Sequence, residues 1–380
     1  MSVSRAMIWL PEGGSAHVAP RMIPASLEDV SPAWLTDVLR SSGVLESGEV
    51  VSCDVSRIGA DFGFASQIGR IVPVYEDESP PAPKSMVVKL SVPTADPELR
   101  RLLIDKTRSE AGFYRDIAPR VGIRVPRCYF VADDPSTGAI ALLLEDLTEA
   151  RFGDDSVGCT LGEAELVVTS LATMHARFWN DASLDGLDWL RRWGKLEDVM
   201  RRYEGRRARF LERYAEFVTA ETRRVTQAIG QEHVPALERL AGPPLTLLHV
   251  DTHLDNVAWV KRGRTEETLL FDWQGVSIGL CVVDLAQFLT SALRGDGRHH
   301  EPALIEHYHR GLVRGGVSGY GLGQLIADHR VAVLRWWIGT VSGLGSAHAA
   351  SWGGRQAALA RDSVHRWNVV IRDLKLGELL

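Results

Sequence analysis

The apolar pattern of this chain changes once, after Leu147, and that change limits the folds open to it. Before it, short apolar runs bounded by turn residues have the length and composition of strands, at 50–58, 66–75, 85–92, 124–134 and 139–147. Two helices interrupt them. One spans 31–43, where Ser31 can cap the first turn, Pro32 suits the first helical position and Gly43 can end the last. The other spans 96–119, opened by Asp96 and Pro97 and closed before Pro119. After Leu147 the period is helical, starting with a capping box of Thr160 and Glu163 over 160–179. Helical segments continue to about 240 and resume from about 283 to the end, with "LTLLH" and an apolar hairpin between them. Strands first and helices afterwards predict an α+β chain of two lobes. The expected division is a loose arm at 1–24, a small antiparallel-sheet lobe with one key helix at 25–147, and a larger, mainly helical lobe at 148–380.

Composition removes several partners. The net charge is −6 with no long block of one sign, which argues against nucleic acid. Cys53, Cys128, Cys159 and Cys281 lie far apart with no C-x-x-C pair, the usage of a reduced, cytoplasmic chain rather than a disulfide framework or zinc module. No apolar run reaches the ~18 residues of a membrane span, and the N-terminal one is too short and interrupted for a signal peptide. The expected partner is a small molecule, with no nucleic acid and no membrane.

Three groups of residues carry chemistry. Lys89 follows "MVV" in a run that reads as a buried strand. Glu110 shares a helical face with Leu103, Thr107, Tyr114 and Ile117. A buried charge is costly alone, so each is a candidate partner for the other. The alternative is that Lys89 snorkels out from a strand end and Glu110 sits at the edge of its stripe. The turn "GADFGFAS" at 59–66 can present backbone N–H groups to a phosphate, although most such turns are plain hairpins.

The third group is "HVDTHLDN", residues 249–256, placed straight after an apolar run. A hairpin folded about Arg264, with strands 257–260 and 268–271, brings Asn256 opposite Asp272, a pair of hard oxygen donors suited to Mg²⁺. His249, Asp251 and Asn256 meet the spacing H-x-D-x-x-x-x-N, in which the aspartate is a base and the asparagine a metal ligand. The competing reading is a transition-metal hydrolase built on the alternating His249, Asp251 and His253. No separate histidine cluster in the sequence completes such a site.

In its order of motifs the chain resembles the aminoglycoside phosphotransferase and choline kinase superfamily, nearest the ecdysteroid-kinase-like (CHK-kinase-like) branch. The resemblance spans roughly residues 50 to 345 and rests on "VVKL", "SEAGFY", "LLLEDL", "LATMHARFW", "LLHVDTHLDN" and "LLFDWQGVSIGLCVVDLAQFL". It implies a bilobal protein-kinase-like fold and an ATP- or GTP-dependent phosphotransferase with Mg²⁺. It implies further that Lys89 contacts the α/β phosphates and pairs with Glu110, and that "LLLEDL" is the hinge for adenine near Glu145 and Leu147. Gly63 and Ser66 would border the phosphates, Asp251 would be the base, Asn256 and Asp272 would hold Mg²⁺, and His249 and Asp284 would support the catalytic loop. His175 reads as a packed core histidine. Two departures stand out. Val250 replaces the usual glycine of the motif, and no A-P-E segment follows Asp272, which points to a small-molecule rather than a protein acceptor.

Residues 291–380 hold seven Asp or Glu against eleven Lys or Arg, with Trp336, Trp337, Trp352 and Trp367. Residues 191–213 hold nine basic against four acidic. Solvated helix faces and core tryptophans would give the same counts. Taken as pocket lining they favour a neutral or largely apolar alcohol, such as a macrolide or steroid-like compound, over a polycationic aminoglycoside. An aminoglycoside or other antibiotic O-phosphotransferase is the alternative within this class, and a nucleotide-binding pseudokinase acting as sensor or scaffold is the alternative of a different class.

Overall fold

The computed structural model describes residues 7–8, 23–58, 66–76, 82–91, 97–134, 137–194, 196–263 and 265–380. The chain divides into two compact units, residues 1–150 with 271–275, and residues 151–270 with 276–380.

The first unit is built on an antiparallel sheet. Its strands are β1 (Met7–Ile8), β2 (Val50–Arg57), β3 (Ser66–Tyr75), β4 (Met86–Ser91), β5 (Cys128–Asp134) and β6 (Ala139–Glu145), in the order β1-β5-β6-β4-β3-β2. Two-residue alternation decides what each face holds. Met86, Val88 and Leu90 of β4 join Ile71, Phe130 and Leu143 in one core, covered by Trp34, Leu35, Val38 and Leu39 of α1 (Pro32–Ser41). Helix α1 is closed as its sequence dictates. The Ser31 hydroxyl accepts from the Trp34 N–H at 3.2 Å, and Gly43 follows the helix at φ +68°. Lys89 has the opposite parity on β4, paired in register with Ile68 and Leu142.

Helix α2 (Pro97–Gly112) is shorter than the helix expected over 96–119, because the chain widens into a π turn over Phe113–Ile117. The Phe113 ring stacks on Trp273, centroids 3.8 Å apart and planes within 5°. Most of the arm at 1–24, Asp96 and residues 59–65 lie outside the described residues.

The second unit is mainly helical. Helix α3 (Leu161–Arg177) opens with the Thr160–Glu163 capping box. Its other long helices are α4 (Leu196–Arg213), α5 (Ala220–Ala228), a short α6 (Val234–Glu238), α7 (Val282–Ala292), α8 (Glu301–Arg314), α9 (Leu322–Leu344) and α10 (Gly354–Asp373). Helix α7 is almost wholly buried, packed on α9, α3 and α10. Two three-stranded sheets complete the unit. One orders β11 (Thr265–Leu270), β10 (Val257–Arg262) and β7 (Arg151–Phe152). The other orders β8 (Arg191–Arg192), β12 (Ser277–Gly279) and β9 (Thr246–Leu248).

The hairpin corrects one expectation. Val257 pairs with Leu270 and Arg262 with Thr265, so the tip falls between residues 263 and 264, with Gly263 at φ +64°. A two-residue tip of this kind shifts the register by one from a fold centred on Arg264. The ladder is therefore one residue out of register with the fold about Arg264 that would set Asn256 opposite Asp272. Among the described residues no helix is long and apolar enough to cross a membrane.

Candidate active site

In the first unit a strand, a helix and a short segment of chain bring one cation to two carboxylates. Lys89 Nζ lies 2.8 Å from Glu110 Oε1 and 2.8 Å from Asp272 Oδ1. Lys89 is 7% exposed and Glu110 2%, so neither snorkels to water. The stripe that carries Glu110 turns inward along its length, with Leu103, Thr107, Tyr114 and Ile117 all buried. Burial alone would lower the Lys89 ammonium, but the two carboxylates reverse that and raise it. Burial pushes the Glu110 carboxyl up, to about 7, against the pull of Lys89.

Asp272 takes a left-handed backbone at φ +61°, and Gln274 Nε2 donates to its Oδ1 at 2.7 Å. The fully buried Trp273, stacked on Phe113, anchors this segment beside α2.

The remaining residues expected in the nucleotide site are spread along the sheet. Ser66 begins β3 opposite Ser91, half-buried. Gly63 lies outside the described residues. The Glu145 carboxylate pairs with Arg124 and accepts from the Arg127 N–H at 3.0 Å. The Leu147 carbonyl accepts from the Ala150 N–H at 2.8 Å in the turn that ends the unit.

In the second unit the buried strand β9 runs straight into the polar loop, and α7 holds that loop in place. Asp284, fully buried, accepts from the His249 N–H through Oδ2 at 2.7 Å and from the Val250 N–H through Oδ1 at 2.8 Å. His175 Nε2 lies 3.1 Å from Asp284 Oδ2, and His175 Nδ1 lies 2.6 Å from the Tyr308 hydroxyl. His175 is a core histidine whose polar ring is spent on bracing this aspartate. Thr252 adds two ties, from its hydroxyl to the Asp284 carbonyl at 2.9 Å and from its N–H to Gln287 Oε1 at 2.8 Å. The buried His249 ring accepts from the Asp251 N–H through Nδ1 at 3.2 Å.

Val250 stands at φ +69°, the conformation the missing glycine would have taken freely. A β-branched residue there costs about 1–2 kcal/mol. The paired oxygens of Asp284 hold it.

Asp251 points its carboxylate outward, the side chain 46% exposed. Gln287 Nε2 and His253 Nε2 both lie 3.4 Å from its Oδ1. His253 is flanked on its other side by Asp155, Nδ1 to Oδ2 at 3.2 Å. Burial would lower the imidazole, but Asp155 and Asp251 raise it to about 10. The Asn256 amide donates to the Asp251 carbonyl at 3.0 Å and closes the loop on itself.

Sequence reasoning missed Asp155 and Gln287 as partners of this loop and gave His253 a part only in the hydrolase reading. Asp155 accepts from the Leu254 N–H at 2.9 Å, and its own N–H donates to Asp255 Oδ1 at 2.9 Å. No local pattern links residues so far apart. Gln287, one helical turn beyond Asp284, was open to detection as an i,i+3 neighbour on the same face. Among the described residues, the group whose donor atoms lie close enough to share a metal is Asp155, His253 and Asp255. The set a transition-metal hydrolase would need, His249, Asp251 and His253, is not brought together.

Residues 193–315, about a third of the chain, match the model of the ecdysteroid kinase-like family. Among curated proteins none matches. Of solved structures, the Plasmodium vivax ethanolamine kinase is similar at 13% identity, covering 90% of this chain and 89% of that one with a TM-score of 0.50. A choline/ethanolamine kinase family protein from Mesorhizobium loti is similar at 14% identity, covering 86% and 92%, TM-score 0.47. A macrolide 2'-phosphotransferase from Brachybacterium faecium is similar at 16% identity, covering 87% and 97%, TM-score 0.44. The matched stretch carries "LLHVDTHLDN" and "LLFDWQGVSIGLCVVDLAQFL", and the likeness to the ethanolamine kinase shows a shared kinase-like fold.

Proposed function

We propose that this chain is a kinase that transfers the γ-phosphoryl of ATP or GTP to a hydroxyl of a small, neutral or largely apolar molecule. The observation that carries the reading is the buried ion pair of Lys89 and Glu110 at 2.8 Å. Such a pair is an expensive way to build a core and a direct way to aim a lysine at phosphates. The family match and the fold shared with an ethanolamine kinase support transfer to a small molecule.

Lys89 contacts the α and β phosphates, and Glu110 keeps its ammonium in place. The hinge at Glu145 and Leu147 holds the base, with Gly63 and Ser66 bordering the phosphates. Asp251, its carboxylate open to solvent, orients the acceptor hydroxyl and takes its proton as the new O–P bond forms and the nucleoside diphosphate leaves. His249 and Asp284 fix the backbone on which Asp251 stands. The Asp272 carboxylate and the Asn256 amide are the hard oxygen donors that would hold Mg²⁺, and Asp272 keeps a third of its side chain exposed for it. Bound there, Mg²⁺ would offset charge on the phosphoryl oxygens.

The acceptor lean follows from charge in the second unit. Arg294 and Arg366 lie beside the catalytic loop, Arg294 Nη1 2.9 Å and Arg366 Nε 3.6 Å from Asp362 and both close to Asp155. They are poor neighbours for a polycationic aminoglycoside.

The test is ATP consumption against macrolides, steroid-like alcohols, choline and aminoglycosides, with Mg²⁺ and with a chelator. Mg²⁺-dependent turnover of one neutral class is expected, and Asp251→Asn should bind nucleotide but lose about 10²- to 10⁴-fold in turnover. Nucleotide binding without turnover of any alcohol would favour a pseudokinase, and full activity in Asp251→Asn would sink the assignment of the base.

A further inference from the structure

The second unit contains a buried cation without a counter-charge. Arg335, on α9, is 8% exposed. Among the described residues the other buried lysine and arginine side chains have carboxylates. Lys89 has two and Arg298 has Glu301. Among the described residues no carboxylate lies within ion-pair distance of Arg335, and its Nε is buried with no hydrogen-bond partner. Its guanidinium carbon stands 4.8 Å from the centroid of the Trp193 ring. A cation–π contact of this kind falls well short of what desolvating a guanidinium costs.

The guanidinium and the indole share a cavity of about 250 Å³. Leu196, Leu237 and Ala241 give it apolar walls, and Glu197 and Glu238 stand at its exposed mouth. Burial and the nearby Arg202 lower the Arg335 guanidinium to about 10, the mark of a cation short of negative charge.

The geometry points to a second ligand site: the cavity over Arg335 and Trp193 binds the carboxylate of a small, singly charged organic acid. The guanidinium takes the carboxylate in a bidentate pair, the geometry for which its planar fork is built. The apolar walls and the indole cover a short carbon chain. The two rim glutamates disfavour a multiply charged phosphate and tolerate an ammonium on the same ligand, so an amino acid fits as well as a simple acid. The site is made wholly from residues of the second unit outside the catalytic loop, and it stands whatever the acceptor of the phosphoryl group.

The test is thermal unfolding of the full chain titrated with acetate, glycine or inorganic phosphate, each against chloride at equal ionic strength. Acetate or glycine should raise the melting temperature with a saturating dependence on concentration, while phosphate does not. Arg335→Gln should weaken the response at least tenfold, and Asp251→Asn should leave it intact. If Arg335→Gln does not fold, Ala241→Leu, which fills the cavity, should abolish the response. No saturating effect of acetate or glycine on the wild-type chain overturns the site. So does a response that survives Arg335→Gln or Ala241→Leu, or one produced by phosphate alone.

Discussion

Replacing Asp284 by asparagine keeps the side chain's shape and removes one of the two acceptors on which the loop at 249–256 hangs. The carboxylate accepts from His249 N–H at 2.7 Å and Val250 N–H at 2.8 Å, with His175 Nε2 at 3.1 Å. An amide offers one oxygen. Turned toward His249 and His175, it sets its NH₂ against the Val250 N–H; turned the other way, it opposes two donors instead of one. The first orientation is cheaper. It loses one hydrogen bond to a charged group, about 1.5–3 kcal/mol, and leaves a donor unpaired in a dry site, about 1–3 kcal/mol more. The expected loss is about 3–5 kcal/mol. At about 2–4 °C per kcal/mol for a domain of this size, the melting temperature should fall by of order 10 °C. The broken bond is also the one that holds Val250 at φ +69°. Released, the backbone relaxes toward negative φ and carries Asp251 with it, and a shift of ~1 Å in a catalytic group costs about 10²-fold in rate. Calorimetry and amide hydrogen exchange at His249 and Val250 give the first quantity, and turnover gives the second. A melting temperature within about 2 °C of wild type, with both amides still protected, would refute the reasoning, because Asp284 would then not be what holds the loop.

The other predictions rest on single contacts. Lys89→Met should sharply lower nucleotide affinity or turnover with little loss of thermal stability, Glu110→Gln should do so more mildly, and the double mutant should be little worse than Lys89→Met, since the two act as one unit; additive losses in nucleotide titrations would separate them. His253, raised from 6.5 to about 10 by Asp155 and Asp251 against its burial, is protonated more readily in the folded chain. Its stabilising effect is therefore fully present below pH 6.5 and lost as pH rises toward about 10. His253→Gln should flatten the stability–pH curve in that window, and an unchanged slope in urea melts would count against the ion pairs. Val250→Gly should relieve about 1–2 kcal/mol of strain against about 0.5–1 kcal/mol of added chain entropy. A melting temperature equal to wild type or slightly higher is expected, and a marked fall would mean that the isopropyl group packs more tightly than its half-exposed position indicates.

What the sequence made legible here is what local rules govern. Ser31, Pro32 and Gly43 punctuate α1 as capping chemistry requires, and the Thr160–Glu163 box opens α3. Lys89 and Glu110 were conspicuous because each broke an apolar pattern, one of period two and the other of period three to four. The hairpin was visible, but its register was not. A one-residue shift at the tip depends on which residue takes the left-handed turn conformation, and Gly263 beside Arg264 gave two options that apolar alternation alone does not separate. Asp155 was out of reach for another reason. It meets Asp255 across 100 residues of sequence, and no local preference records that encounter.

Val250 shows how the two kinds of information combine. By local rules it is the wrong residue for its position, and the motif's usual glycine makes that plain. The structure keeps the left-handed conformation nonetheless, because the loop is held from three directions. Asp284 and Gln287 of α7 bind the backbone of residues 249, 250 and 252, His175 of α3 braces Asp284, and Asp155 binds the N–H of Leu254. Strain at one residue persists only where its surroundings over-determine the backbone. The substitution that put the loop geometry in question from sequence is therefore the measure of how firmly α7 and α3 fix it. It also explains why the groups that matter most for aiming Asp251 lie on helices whose own sequences read as ordinary core.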